Sequence, residues 1–266
     1  MNESAPVPPL MQPAPPVAAP PPSLLELRPL GDDPAERAAI PNTFAAIEAV
    51  LRHPRRLLFQ MRQPGAGKLV AAMIFASVVC SLIYGVMVGT FFGGTQLWIA
   101  PAKVAMGLVL SAAICLPSLY IFACLSGSQA RLIEVCGLLA GLLLLMTILL
   151  IGFAPVAWIF SESTDSPVWM GTLHLIFWFV ATLFGLRFMK AGFLHANARS
   201  QAGINVWIVI FLLVALQMTT ALRPILGKTQ TFFPAEKQFF ISHWMDCMKT
   251  TSANPANSST KPSGTP

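Results

Sequence analysis

The chain has 266 residues, 55% of them hydrophobic and 11% charged, with a formal net charge of +6. Soluble domains of this size carry about 25% charged residues, so a water-solvated globular fold is excluded. The positive charge does not point to nucleic acid, because it gathers beside apolar segments instead of forming one basic face.

Residues 1–40 are rich in Pro and Ala, with runs at Pro15-Pro16 and Pro20-Pro21-Pro22. Such a composition buries too little apolar surface to offset chain entropy, which predicts a disordered arm of polyproline II character. No basic stretch precedes a short apolar run, so the arm does not read as a signal peptide. Residues 41–67 differ. Asn42 or Thr43 can cap a helix, and Phe44, Ile47, Leu51, Leu58 and Met61 recur near helical spacing. Pro54 interrupts the pattern, which predicts two short helices meeting at His53-Pro54. Arg52, Arg55, Arg56 and Arg62, with Lys68 immediately after, make this segment basic and amphipathic. It is expected to lie on the membrane surface, where each cation contributes about 1 kcal/mol against anionic lipid headgroups.

Five stretches without Asp, Glu, Lys or Arg follow, at residues 69–92, 104–125, 135–160, 168–186 and 204–222. About 20 helical residues cross a hydrocarbon core about 30 Å thick. The expectation is therefore an all-α, polytopic transmembrane bundle of five spans over residues 68–223. Its connections are short, so sequential helices are expected to pack antiparallel. Residues 224–249 carry Phe232-Phe233, Phe239-Phe240 and Trp244 and read as an aromatic tail returning to the headgroup layer. Residues 250–266 are a polar, disordered tail.

Charge sets the orientation. Arg52, Arg55, Arg56, Arg62, Lys68, Arg131, Arg187, Lys190 and Arg199 fall on one side, and Lys103, Arg223, Lys228 and Lys237 on the other. The excess places the N-terminus in the cytoplasm and the C-terminus outside, in a cell (inner) membrane. Tryptophan agrees: Trp98, Trp158 and Trp169 fall at the outer ends of spans and Trp207 at an inner end, where indole rings anchor at the headgroups.

Inside the spans the polar content is thin. Ser77, Ser81, Gly85, Gly89 and Gly93 recur every four residues, and Gly137 and Gly141 repeat the spacing in the third span. Such stripes let helix backbones approach closely, within one bundle or across a homo-oligomer. His174 is the one ionisable residue read as deep in a span, and it is the candidate functional polar group. With Thr172, Thr182, Asn205 and Gln217 as its nearest expected polar groups, it is read first as a neutral, hydrogen-bonded histidine. Pro117 and Pro155 are expected to kink their helices. The cysteines show no CxxC spacing, so no metal or cofactor is expected. No HExxH, GxSxG or Walker loop is present, so no catalytic residue is assigned.

The five spans with tight loops, the Leu125-Ser-Gly-Ser-Gln129 turn, and the Leu222-Arg-Pro-Ile-Leu-Gly227 segment before Phe232-Phe233 carry a resemblance. Over residues 42–222 the chain resembles the Yip family of Rab-GTPase-interacting membrane proteins, in a distant bacterial branch. The Asp-Leu-aromatic-Gly-Pro motif of the eukaryotic family is absent, so the resemblance implies the five-span architecture without GTPase-linked trafficking. The expected function is that of a non-catalytic organiser or adaptor, engaging membrane or cytoplasmic proteins, or anionic lipid, through its cytoplasmic flank. The alternative is a transporter or channel subunit built on kinked helices and His174, with a membrane-embedded lipid enzyme third. A polar cavity beside His174 would favour the transporter, and a solid apolar bundle there would exclude it.

Overall fold

A computed structural model describes residues 29–92, 94, 96–163, 167–196 and 202–222. The Pro-rich runs, the aromatic tail and Gly93 lie outside the described residues. Eight helices are present among them: α1 Pro34–Arg37, α2 Thr43–Arg52, α3 Pro54–Gln60, α4 Ala66–Phe92, α5 Gln96–Leu125, α6 Leu132–Ser163, α7 Pro167–His195 and α8 Ala202–Leu222.

Four of these are long and apolar enough to cross a membrane: Ala66–Thr90, Leu97–Leu125, Leu132–Ser163 and Trp169–His195. Their outward faces carry Phe75, Ile83, Ile114, Ile121, Ile176 and Phe179, all exposed. An apolar belt of this extent is stable only against lipid, so the chain is a multi-pass membrane protein. The fifth predicted span coincides with α8, whose described side chains form a shorter apolar helix, Ala202–Met218.

Helix pairing departs from the expected sequential order. α6 packs between α4 and α7, α4 packs on α5 and α6, and α8 packs on α5. Although a short turn joins α5 to α6, α4 lies between much of their lengths. The small residues explain the pairing. A methyl group built on Gly85 of α4 would collide with the Pro101 backbone of α5, so only hydrogen there permits the observed approach. On α6, Gly137 seats the Met61 thioether and Gly141 seats the Phe188 ring. Gly185 of α7 meets the Leu142 carbonyl, 3.0 Å from where its Cβ would stand.

The segment before the spans is tied into the bundle. Asn42 caps α2, accepting from the Ala45 N–H at 2.8 Å, and α3 restarts at Pro54, where a proline is tolerated in the first turn. Leu57, Leu58 and Met61 are buried in the same core as Val70, Leu138 and Phe193. α1–α3 thus form a cap on one end of the bundle.

That end is sewn together by polar contacts. α5 stops in a Schellman turn: Gly127, at φ +74°, donates to the Cys124 carbonyl at 3.0 Å and Ser128 donates to Ala123 at 3.1 Å. The next amide, Gln129, donates to Ala196 at the end of α7.

Candidate functional site

Each of α4 to α8 contributes to one cavity of about 70 Å³, in the half of the bundle remote from the α1–α3 cap. α4 supplies Ser81, Tyr84 and Val88, spaced so that all three share one helix face. α5 supplies Lys103, Gly107 and Ser111, again at intervals of four. α6 adds Thr147 between Met146 and Leu150, α7 adds His174 and Trp178, and α8 closes the site with Ala215 and Met218. Beside it lies an apolar cluster in which Phe153 and Phe177 stack at 4.8 Å.

Lys103 corrects the sequence reading. It was expected in an outer connection, but α5 begins at Gln96, which places Lys103 about two helical turns inside the helix. Only 1% of its surface is exposed. His174 is therefore not the one ionisable group within the bundle. The pattern that finds it is an apolar helix from Leu97 to Leu125 interrupted by a single charge. Requiring charge-free spans hides that pattern.

His174 is 2% exposed. Its partner is none of the groups expected from sequence: Nδ1 lies 2.7 Å from the Tyr84 hydroxyl of α4, with the rings edge-on at 5.7 Å. Its Nε2 is buried and has no hydrogen-bond partner among the described residues. The hydroxyl protons are already engaged. Ser81 donates to Val78 at 2.8 Å, Ser111 to Gly107 at 2.7 Å and Thr147 to Leu143 at 2.9 Å. Such back-bonding lets an isolated hydroxyl sit in a span, and each oxygen keeps a lone pair.

The remaining predicted positions are scattered. Ser77 is buried and donates to the Met73 carbonyl at 2.8 Å, and Gly89 is buried. Gly85, Gly137 and Gly141 all make their close approaches inside this one chain. Three of the cationic flank residues hold the cap. Arg55 pairs with Glu36, and Arg56 donates to the carbonyls of Ala38 and Ala39. Arg62 reaches the His195 carbonyl at 2.6 Å. Arg52 and Lys68 are exposed.

Trp207 also differs from expectation. It is fully buried, stacks on Phe211 and donates its indole N–H to the Cys115 carbonyl at 2.9 Å. That carbonyl lies two residues before Pro117, whose ring withholds a helical hydrogen bond and loosens the turn. Trp207 is thus a core residue joining α8 to α5. Trp98, Trp158 and Trp169 are exposed at the end of the bundle opposite the cap.

Among the described residues no three of His, Cys, Asp and Glu are grouped so as to hold a metal ion. Comparison of the chain with family models, with curated proteins and with solved structures finds no match.

Proposed function

We propose that this is a five-span inner-membrane protein, cytoplasmic at its N-terminus and outside at its C-terminus, that acts as a transporter or channel subunit for a small polar solute. The observation that carries this reading is the cavity shared by five helices, with Lys103 and His174 in its wall. An ionisable side chain within a span is costly and typically faces a solute path or a water-filled space. A cavity of about 70 Å³ has room for a few waters or one small solute. Pro101 and Pro117 within α5 weaken its backbone ladder on both sides of Lys103, as in helices that move or bend at transport sites.

The topology is supported by charge and aromatic placement. With Lys103 inside the bundle, the sequence sets nine cations flanking the inner ends of the proposed spans against three after the last span. The exposed Trp98, Trp158 and Trp169 form a ring at the proposed outer surface. The fifth span is α8: its 21 residues are about 31 Å long, which matches the hydrocarbon core.

The test is uptake of a panel of small ions and neutral solutes into proteoliposomes. The reading expects one solute class to enter faster than into protein-free liposomes, and to lose that advantage in Lys103→Met. Uptake equal to protein-free liposomes for the whole panel removes it.

A second reading, the organiser or adaptor, draws on one observation. Phe44 is 83% exposed and Leu51 48% on α2, beside the exposed Arg52. That apolar and basic edge suits a protein partner or anionic headgroups. Because Leu57, Leu58 and Met61 are core residues, the fitting test removes residues 1–28 and changes Phe44→Ser, leaving α3 in place. Cross-linked partners unchanged by both alterations would sink it. The Yip likeness is proposed at the level of architecture alone.

A further inference from the structure

We propose that a cleft at the cap end of the bundle binds a zwitterion of the phosphoethanolamine class, in which a primary ammonium is linked to a phosphate. This site is distinct from the cavity at the other end and needs no solute to cross the membrane. The cleft has a volume of about 200 Å³, and among the described residues Arg62, Gln129 and Glu134 supply its polar wall. It adjoins a smaller void of about 20 Å³, floored by the buried Leu58, Met61 and Leu138, with Arg62 and Glu134 again in the wall. Its depth is that of the lipid headgroups. Arg62 stands just before the span that starts at Ala66, and Glu134 lies in the first turn of the span that starts at Leu132.

Two opposite charges line this space without closing on each other. Glu134 is 15% exposed at its side chain and accepts from Arg131 Nε through Oε1 at 2.8 Å. Arg62 donates from Nη2 to the His195 carbonyl at 2.6 Å. Among the described residues, Oε2 of Glu134 and the Nε and Nη1 of Arg62 have no hydrogen-bond partner. Arg131 keeps the two walls in register, because its Nη2 also donates to the Arg62 carbonyl at 2.8 Å. The charges decide the class of ligand. A purely anionic group drawn to Arg62 meets the Glu134 carboxylate, and a simple cation drawn to Glu134 meets the Arg62 guanidinium. A zwitterion answers both: its phosphate accepts from the guanidinium N–H groups, and its ammonium donates to Oε2. A trimethylated ammonium has no N–H to donate, so a choline headgroup leaves Glu134 unanswered. The apolar floor suits the carbon skeleton of a lipid more than a bare ion.

The experiment is native mass spectrometry of the full chain released from detergent. The chain is offered equal amounts of phosphatidylethanolamine, phosphatidylcholine and phosphatidylglycerol of one acyl composition. The ethanolamine lipid should be retained about tenfold more than the choline lipid, the size expected of one charge-assisted hydrogen bond. Glu134→Gln should remove that preference, and Arg62→Gln should weaken retention of both lipids, each in a variant that still melts cooperatively. If Glu134→Gln does not fold, the wild-type ranking of the two headgroups carries the test. Equal retention of the ethanolamine and choline lipids overturns the proposal, as does a preference for the anionic glycerol lipid or an unchanged preference in a folded Glu134→Gln. Soluble phosphoethanolamine separates the two sources of this chemistry. Displacement of the lipid by it assigns the site to the free compound as well, and no displacement assigns it to the lipid. Neither result bears on solute uptake, so the failure of this site and the failure of transport are read separately.

Discussion

Gly85→Ala tests the central packing claim. A Cβ at position 85 would stand 3.1 Å from the nitrogen and 3.3 Å from the carbonyl carbon of Pro101, and closer still to its Cα. These are backbone atoms of α5, so no rotamer change relieves the clash. The helices must separate or bend, and overpacking of this kind costs about 1–3 kcal/mol. For a chain of this size each kcal/mol lowers the melting temperature by about 2–4 °C, so the loss should be roughly 2–12 °C. Gly152→Ala is the control, because nothing lies within 4 Å of a Cβ there. It should change stability little, or raise it slightly through helix propensity. Thermal unfolding in one detergent compares the two variants directly. Since Tyr84 adjoins Gly85 and Lys103 lies two residues from Pro101, Gly85→Ala should also weaken whatever the cavity binds. Equal melting temperatures for Gly85→Ala and Gly152→Ala would refute the close approach of α4 and α5.

Three further outcomes are expected. Burial of Glu36 pulls its pKa up, but the Arg55 guanidinium and the Gly31 N–H at 2.7 Å outweigh this and hold it below the ordinary value. A depressed carboxylate pKa stabilises the fold above the unfolded value, about 4.3, and that stabilisation disappears as pH falls through the folded value. Hydrogen exchange at residues 31–37 should therefore accelerate below about pH 4.3 in the wild type but show no such step in Glu36→Gln. Trp207→Phe keeps the stack on Phe211 but leaves the Cys115 carbonyl without the indole N–H, a loss of about 0.5–1.5 kcal/mol in unfolding free energy, whereas Trp207→Ala should lose about 3–5. A Phe variant as unstable as the Ala variant would show that shape, not the hydrogen bond, is what matters. Finally, Cys247 should react with an impermeant maleimide in intact cells; labelling that requires permeabilisation would reverse the proposed orientation.

Several features were legible from residue order alone. A cap at Asn42 or Thr43 and the break at His53-Pro54 are local events, fixed by side-chain hydrogen bonding and by the proline ring, and the structure assigns the cap to Asn42 and the break to His53-Pro54. The apolar helices were legible for the same reason, since hydropathy and the 1.5 Å rise need no tertiary information. Their ends were less so. A rule that halts a span at the first charge stops α5 at residue 104 and α7 at residue 186, whereas the helices run from Gln96 and to His195. Backbone hydrogen bonding continues past a charge that finds a polar cavity or the headgroup layer.

The candidate site was half legible. An intramembrane His174 stands out in any reading, because ionisable groups are rare in lipid. Its partner Tyr84 lies 90 residues away, and no periodicity links the two. Trp207 was misplaced for a related reason. At the end of a span an indole suits the headgroups, but it also suits a buried carbonyl beside a proline, and which one it meets depends on the neighbouring helix.

The sequence by itself determined that the chain is helical, apolar and membrane-embedded, because these follow from composition and spacing along one strand of chain. Only the tertiary structure decided that α4 lies between α5 and α6, that three flank arginines hold a cap, and that Lys103 and His174 face one cavity. Lateral pairing in a bilayer has no hydrophobic force to order it. It depends on where a glycine lets two backbones meet, and that complementarity is a property of pairs of helices.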